Sequence, residues 1–156
     1  MKLSNFITVQ DATGQPYLKE SGSYQIDGRR TFSHPEDFNE FFGDVVGIRH
    51  CADEYVYIAC MNSKNKLIGC FQASHGSVDA SMFPVREIFQ KVLLIGAVKI
   101  AMSHNHPSGD CTPSQADIQA TKRLKEAANL LNISLLDHII VSRNGYFSFI
   151  ESGILQ

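Results

Sequence analysis

The sequence predicts an α/β fold, or a closely allied α+β one: a single sheet with helices packed on its faces. Three observations lead there. Apolar runs of strand length recur at 54–61, 66–73, 96–102 and 134–141. Between them lie segments whose apolar residues repeat at helical spacing. Hydrophobic residues make up 44% of a 156-residue chain, enough for the core of one ordinary domain and too many for wholesale disorder.

Residues 1–32 stand apart. Asp11-Ala12-Thr13-Gly14-Gln15-Pro16 and Glu20-Ser21-Gly22-Ser23 are turn signals between short β-like pieces. An irregular or β-hairpin N-terminal extension, partly mobile, is expected there, with the domain proper at 33–156. Ser33 as N-cap, Pro35 near the start and Glu36 and Asp37 in the first turn mark a helix. Phe38, Phe41, Phe42 and Val45 give it an apolar face, so these aromatics are core rather than a base-stacking platform. The runs 54–61 and 66–73 flank Asn62-Ser63-Lys64-Asn65 and read as an antiparallel pair joined by a short turn. Pro84 opens a second helix with Ile88, Val92 and Ile95 on one side. The run 96–102 is a buried strand. A third helix is expected over 113–131, capped by Thr112, with Pro113 first and Gln115 completing a capping box. Ile118, Leu124, Ala128 and Leu131 would line its buried face. A strand at 134–141, a turn at Arg143-Asn144-Gly145 and a last strand at 146–150 complete the order.

Charge and cysteines narrow the class. The net charge is −2 and no run of Lys or Arg occurs, so there is no electrostatic footprint for nucleic acid. No apolar stretch reaches the roughly 20 residues needed to span a bilayer. The first residues lack the apolar core of a signal peptide. Cys51, Cys60, Cys70 and Cys111 are scattered without a Cys-x-x-Cys, which points to reduced thiols and a cytoplasmic location.

The chemistry concentrates in Ser103-His104-Asn105-His106-Pro107-Ser108-Gly109, followed by Ser114-Gln115-Ala116-Asp117. Residues i and i+2 of a strand share a face, so His104 and His106 can reach one ion. Asp117 lies eleven residues beyond His106. Two imidazoles and a carboxylate are a standard set for a catalytic zinc, with a fourth position open for a water made acidic by the metal. Asp117 also fits as third residue of a Ser114-x-x-Asp117 capping box, but a helix started at Thr112–Pro113 makes that role redundant. Glu54, Glu87 and Asp79 are candidates for the general base such a site needs. Ser114 is either an oxyanion donor or an ordinary helix-start serine. Cys111 is a weak candidate as a soft ligand. His138 beside an apolar run reads as a satisfied core residue, and Arg86 as a surface pair more than a substrate-orienting group. His34, His50 and His75 have no partner at useful spacing.

His104-x-His106-Pro107 with Ser114-x-x-Asp117 resembles the JAMM (MPN+) zinc signature, and more narrowly its bacterial RadC-like branch. The stretches carrying the narrower likeness are Pro84-Val85-Arg86-Glu87-Ile88-Phe89, His104 through Asp110, Pro113 through Ile118, Leu136-Asp137-His138-Ile139-Ile140-Val141 and Ser148-Phe149 with Gly153. The likeness covers roughly 33–156, and 1–32 fall outside it. It implies a JAB/MPN-like (cytidine-deaminase-like) three-layer fold: a mixed, mostly antiparallel sheet flanked by helices. It implies one Zn2+ per chain on His104, His106 and Asp117. By strand position it makes Glu54 the general base, ahead of Glu87, and Ser114 the support for the tetrahedral intermediate. Longer RadC proteins carry an N-terminal helical segment of helix-hairpin-helix character, which this sequence replaces with an unmatched β-like extension.

The leading expectation is a zinc-dependent hydrolase acting on a protein or peptide substrate, at a peptide or isopeptide bond. A DNA-associated repair accessory or nuclease is one alternative, supported by the branch's traditional label and opposed by the charge balance. An inactive MPN-type interaction domain is another, opposed by the complete ligand set. No membrane association is expected, nucleic acid is a disfavoured partner, and assembly into a homo-oligomer stays open.

Overall fold

The computed structural model describes residues 1–28, 30–76 and 83–156. Strands β1 (Lys2–Gln10), β2 (Pro16–Gln25), β3 (Tyr55–Met61), β4 (Leu67–His75), β5 (Lys99–Asn105), β6 (Ser134–Ser142) and β7 (Gly145–Ser148) form one sheet in the order β2-β1-β4-β3-β5-β6-β7. Helices α1 (Pro35–Glu40), α2 (Val85–Ile95) and α3 (Gln115–Leu130) cover it. Neighbouring strands are antiparallel except β1–β4 and β5–β6. The parallel β5–β6 pair is bridged by α3, the crossover such a pair requires. The sheet is therefore mixed and mostly antiparallel, as the sequence predicts.

Alternation sorts the core into two layers. On β3, Val56, Ile58 and Cys60 pack with Ile88, Phe89 and Val92 of α2 and with Ala120, Leu124 and Ala128 of α3. The intervening Ala59 and Met61 face the other way, against Phe38, Phe41 and Phe42. Ile100 and Met102 of β5 take the α2/α3 side and Ala101 the α1 side. Strands β3, β5 and β6 are thus covered on both faces, and they read as near-continuous apolar runs for that reason. The aromatics of the first helix are core, as their spacing predicts.

Several boundaries differ from expectation. The N-terminal 32 residues contribute a regular hairpin, β1–β2, interrupted by one bulge, with Leu3 fully in the core. Residue 34, not Ser33, caps α1. His34 precedes a proline and is held extended (φ −119°, ψ 150°), so the helix starts at Pro35. Asp37 reaches back: its Oδ2 accepts from the N–H groups of Ser33 and His34, both at 3.0 Å, while Arg30 donates to Oδ1. Beyond Glu40 the chain loosens into a π turn over Phe41–Val45. The strand expected from Gly96 starts at Lys99 because Gly96, in the left-handed region at φ +77°, closes α2. Helix α3 begins at Gln115 with Ser114 as N-cap, two residues later than the expected Thr112. Pro113 lies before the cap, and the Thr112 N–H is taken by Asp110 Oδ1 at 2.9 Å. Leu131 is exposed, since the helix ends at Leu130 and the apolar stripe runs past its last turn.

Burial opposes ionisation of Asp37, but the Ser33 and His34 amides and Arg30 outweigh it and hold its carboxyl below its ordinary value. A depressed carboxylate contributes stability above its unfolded pKa and loses it as pH falls through the folded one. Asp37→Asn should cost about 1–2 kcal/mol at neutral pH. Urea unfolding of both proteins checks this, and the difference should shrink steadily as the pH is lowered through the carboxylate range.

Candidate metal centre

The centre lies where β5 ends. Pleat parity carries the α3-facing series Ile100, Met102 onward to His104 and then His106, the first residue past the strand. His104 is fully buried, and His106 is half-covered at the rim. The 106–110 turn closes with the Gly109 N–H on the His106 carbonyl, and Gly109 takes φ +91°. The positive φ favours glycine there, and a Cβ would only press the movable end of the Asn144 side chain, 2.8 Å away. The turn places the Asp110 carbonyl 2.7 Å from His106 Nδ1. A carbonyl only accepts, so Nδ1 carries the proton and Nε2 is left with a lone pair.

Asp117 comes from the first turn of α3, where the helix dipole favours an acid. Its Oδ2 accepts from both the Ser114 N–H and the Ser114 hydroxyl at 2.7 Å, while Ser114 Oγ accepts from the Asp117 N–H at 3.1 Å. The capping box is real, contrary to the expectation that Asp117 is released from it. It does not remove Asp117 from the site, because a carboxylate has two oxygens. Oδ1 lies 3.2 Å from His104 Nε2, and Oδ2 lies 3.6 Å from His106 Nε2.

One nitrogen or oxygen of each of His104, His106 and Asp117 lies within 4.8 Å of the others. These residues fit a metal ion on chemical grounds. The two Nε2 atoms face each other at 2.9 Å, an arrangement that two lone pairs tolerate only with a proton or cation between them. Burial pushes the Asp117 carboxyl up, but its close contacts with the His104 and His106 rings outweigh this and hold it well below the usual carboxylate range. The neighbouring Asp117 carboxylate raises the His106 imidazole against the opposing effect of burial, with smaller contributions from the Asp110 carbonyl and the Glu54 charge. Negative charge thus converges where a cation would sit, and nitrogen and carboxylate donors of this kind suit zinc.

Glu54 precedes β3. The antiparallel β3–β5 ladder ends with Val56 paired to His104; Glu54 lies two residues before that pair, and its charge acts on the His106 imidazole. The loop before β3 is fixed from across the sheet by Asn105, the residue between the two histidines. Its Oδ1 accepts from the Tyr55 N–H at 2.8 Å, and its Nδ2 donates to the Asp53 and Cys51 carbonyls at 2.9 and 3.3 Å. The Gly76 N–H donates to the Glu54 carbonyl from the other side. Glu54 lines a concavity of about 410 Å³ with Asp53, His75 and Pro107. A second, of about 380 Å³, lies beyond Pro107 and is walled by Arg49, His50, His106 and Arg143.

The rival assignments fall elsewhere. Glu87 is exposed at the start of α2 and pairs at 3.5 Å with Arg86, itself a surface residue. Asp79 lies outside the described residues. The Cys111 thiol is turned to Ser142 Oγ and the Gly145 carbonyl. His75, without a partner by spacing, stacks on Tyr55 at 4.3 Å and meets Asp53 at 3.3 Å on the cleft wall. His138 is a satisfied core residue and also part of the centre: its Nε2 is 2.7 Å from His104 Nδ1 and its Nδ1 is 2.7 Å from Thr121 Oγ1. Burial, helped by the adjacent His104, holds His138 neutral, its pKa well below the ordinary imidazole value. Sequence reading missed Thr121 and Asn105. Asn105 alone left a signal, since the residue between two same-face ligands must point to the opposite face.

A mixed sheet flanked by three helices, with a buried His-His-Asp cluster at the end of a central strand, defines a domain able to hold one metal ion. The chain belongs to the RadC-like JAB domain family, whose model matches residues 32–154. It is 40% identical over 124 residues to a UPF0758 protein of Pelobacter propionicus, covering 80% of this chain and 53% of that one. It is 44% identical over 135 residues to a UPF0758 protein of Thermotoga maritima, covering 82% and 61%. The chain spans about half the length of the curated relatives it matches.

Asn105→Ala would remove the side-chain partner of the part-buried Tyr55 N–H and of the Asp53 carbonyl. Chemical denaturation should show a loss of about 1–3 kcal/mol. Metal content should be unchanged, because no ligand atom depends on that side chain.

Proposed function

We propose that this chain is a zinc-dependent hydrolase of the JAMM type, cleaving a peptide or isopeptide bond. The observation that carries the reading is the His104–His106–Asp117 cluster, its donor atoms within 4.8 Å, with the Glu54 charge acting on His106 beside it. His104, His106 and Asp117 would hold one zinc per chain, and the ion when bound supplies a Lewis acid and a water that loses its proton near neutral pH. The chain's own groups do the rest. Glu54 takes that proton and returns it to the leaving amine, the work of a positioned carboxylate. Ser114 gives its O–H to the developing oxyanion, exchanging it from Asp117 Oδ2, where it rests. The two concavities that meet at Ala52 and Pro107 receive the substrate on either side of the scissile bond, which suits an extended protein or peptide segment.

The same proposal excludes nucleic acid as the partner. Arg49 on the cleft wall is already committed to Asp44 and the Ser142 carbonyl, and the other cleft holds Asp53 and Glu54. No helix among the described residues is long and apolar enough to cross a membrane. Free thiols at Cys51, Cys60, Cys70 and Cys111 support placing the protein in the cytoplasm.

Zinc supplied to the purified protein should be retained near one ion per chain by elemental analysis, and His104→Ala and Asp117→Ala should lose it. Glu54→Gln should keep the zinc while hydrolysis of a panel of peptide- and isopeptide-linked substrates falls by about 10²–10⁴-fold. Clearly substoichiometric zinc in the unmodified protein overturns the reading. Duplex DNA should bind no tighter than about micromolar at physiological salt, and a tighter, salt-sensitive gel shift would favour a DNA role instead.

A further inference from the structure

We infer that Thr121 and His138 are positioning residues that fix which ring nitrogen of His104 is free to take a metal. The inference follows from counting protons along a buried chain of short contacts. Thr121 Oγ1 lies 2.6 Å from the Asp117 backbone carbonyl and 2.7 Å from His138 Nδ1. A hydroxyl has one proton, and a carbonyl can only accept. Two oxygens at 2.6 Å with no proton between them repel, so the Thr121 proton goes to the Asp117 carbonyl. The Thr121 oxygen must then accept, and His138 Nδ1 must carry the proton it accepts.

His138 has no exposed surface, and a neutral imidazole has a single N–H. With that proton on Nδ1, its Nε2 is an acceptor. The contact 2.7 Å away is His104 Nδ1, which must therefore donate. His104 is left with its lone pair on Nε2, the atom that faces Asp117 and His106. His106 is set the same way through a different partner, the Asp110 carbonyl. Each histidine thus has its outward nitrogen committed as a donor, and its inward nitrogen is the one free to take a metal once the proton shared between the two Nε2 atoms leaves.

The relay also ties three elements into one unit. His104 stands on β5, His138 on the neighbouring β6, and Thr121 one helical turn after Asp117 on α3. The Phe149 ring stacks on His138 at 4.3 Å, nearly parallel, and fixes its plane. The same helical turn that presents the Asp117 carboxylate therefore also sets the proton of the ligand beside it. That the bare Nε2 serves a metal rests on the proposed function; the proton placement itself does not.

The test reads the protons directly. Long-range hydrogen–nitrogen spectra of the chelator-treated full chain, labelled at histidine nitrogens and held at about pH 8.5, above the ordinary imidazole range, assign each ring. Both His104 and His138 should carry hydrogen on Nδ1. Thr121→Val removes the acceptor, so the His138 proton should move to Nε2 and drive the His104 proton off Nδ1. Zinc affinity should then fall about 10–100-fold, the usual cost of losing a partner of a metal ligand. Thr121→Ser keeps the hydroxyl and should leave both tautomers and the affinity unchanged. His138→Gln, which can place an amide oxygen near the lost Nε2, should hold His104 in its native tautomer, whereas His138→Phe should not. Finding His104 protonated on Nε2 alone in the unmodified protein overturns the inference, as does a folded Thr121→Val protein with native tautomers and native zinc affinity. Native tautomers in a protein that retains no zinc would leave the relay standing and defeat the hydrolase reading.

Discussion

Strand β5 is covered on both faces, so each polar group it carries either finds a partner inside the protein or costs stability, as Ser103 Oγ does by having none. An unpaired buried donor or acceptor costs about 1–3 kcal/mol, a large part of a domain's net stability. Three consecutive polar residues, Ser103, His104 and Asn105, are nonetheless fully buried there. The last two are satisfied in opposite directions. His104 looks toward α3 and finds His138 and Asp117; Asn105 looks toward the loop before β3 and holds it by three hydrogen bonds. One pleat thus assembles the ligands on one side and pins the Glu54 loop on the other. The placement of the Glu54 loop relative to the His-His-Asp cluster follows in part from backbone alternation.

Asp117 shows how a single side chain serves stability and chemistry together. Its Oδ2 closes the α3 cap with Ser114, while its Oδ1 faces His104. The cap fixes the rotamer, and the fixed rotamer aims the second oxygen. The two roles treated as rivals in the sequence are the same geometry seen from two ends.

What could be read in the sequence was local. The His-x-His spacing works because strand parity depends only on neighbours, and the Pro84 and Pro113 signals mark helix starts within a residue or two, whereas Gly96 reads as strand and in fact closes α2. The start of α3 was misplaced because Thr112 and Ser114 both offer a hydroxyl, and only the Asp110 side chain decides between them. Thr121 and His138 could not be found this way. They meet across 17 residues, and His138 meets His104 across 34. Nothing in either local stretch announces a partner that the β5–β6 register and the α3 crossover together bring into place. A role for Glu54 needs the same long-range information, and only the resemblance, not the spacing, speaks to it.

The hairpin β1–β2 lies at the far side of the sheet from the cluster. It is laid beside β4, and β4 is separated from β5 by β3. Gly69 of β4 stays bare so that the Phe6 ring can rest against it; a Cβ there would come within 2.8 Å of that ring. An unpaired strand border is a template for joining other chains, and β1 closes the one that β4 would otherwise present. The sheet is in this sense a two-ended object. One end carries the His-His-Asp cluster and tolerates little revision, while the other asks of its occupant only that it supply backbone partners and cover the apolar face. Sequence change can accumulate there at low cost to the centre, and this is where the chain leaves its family's pattern.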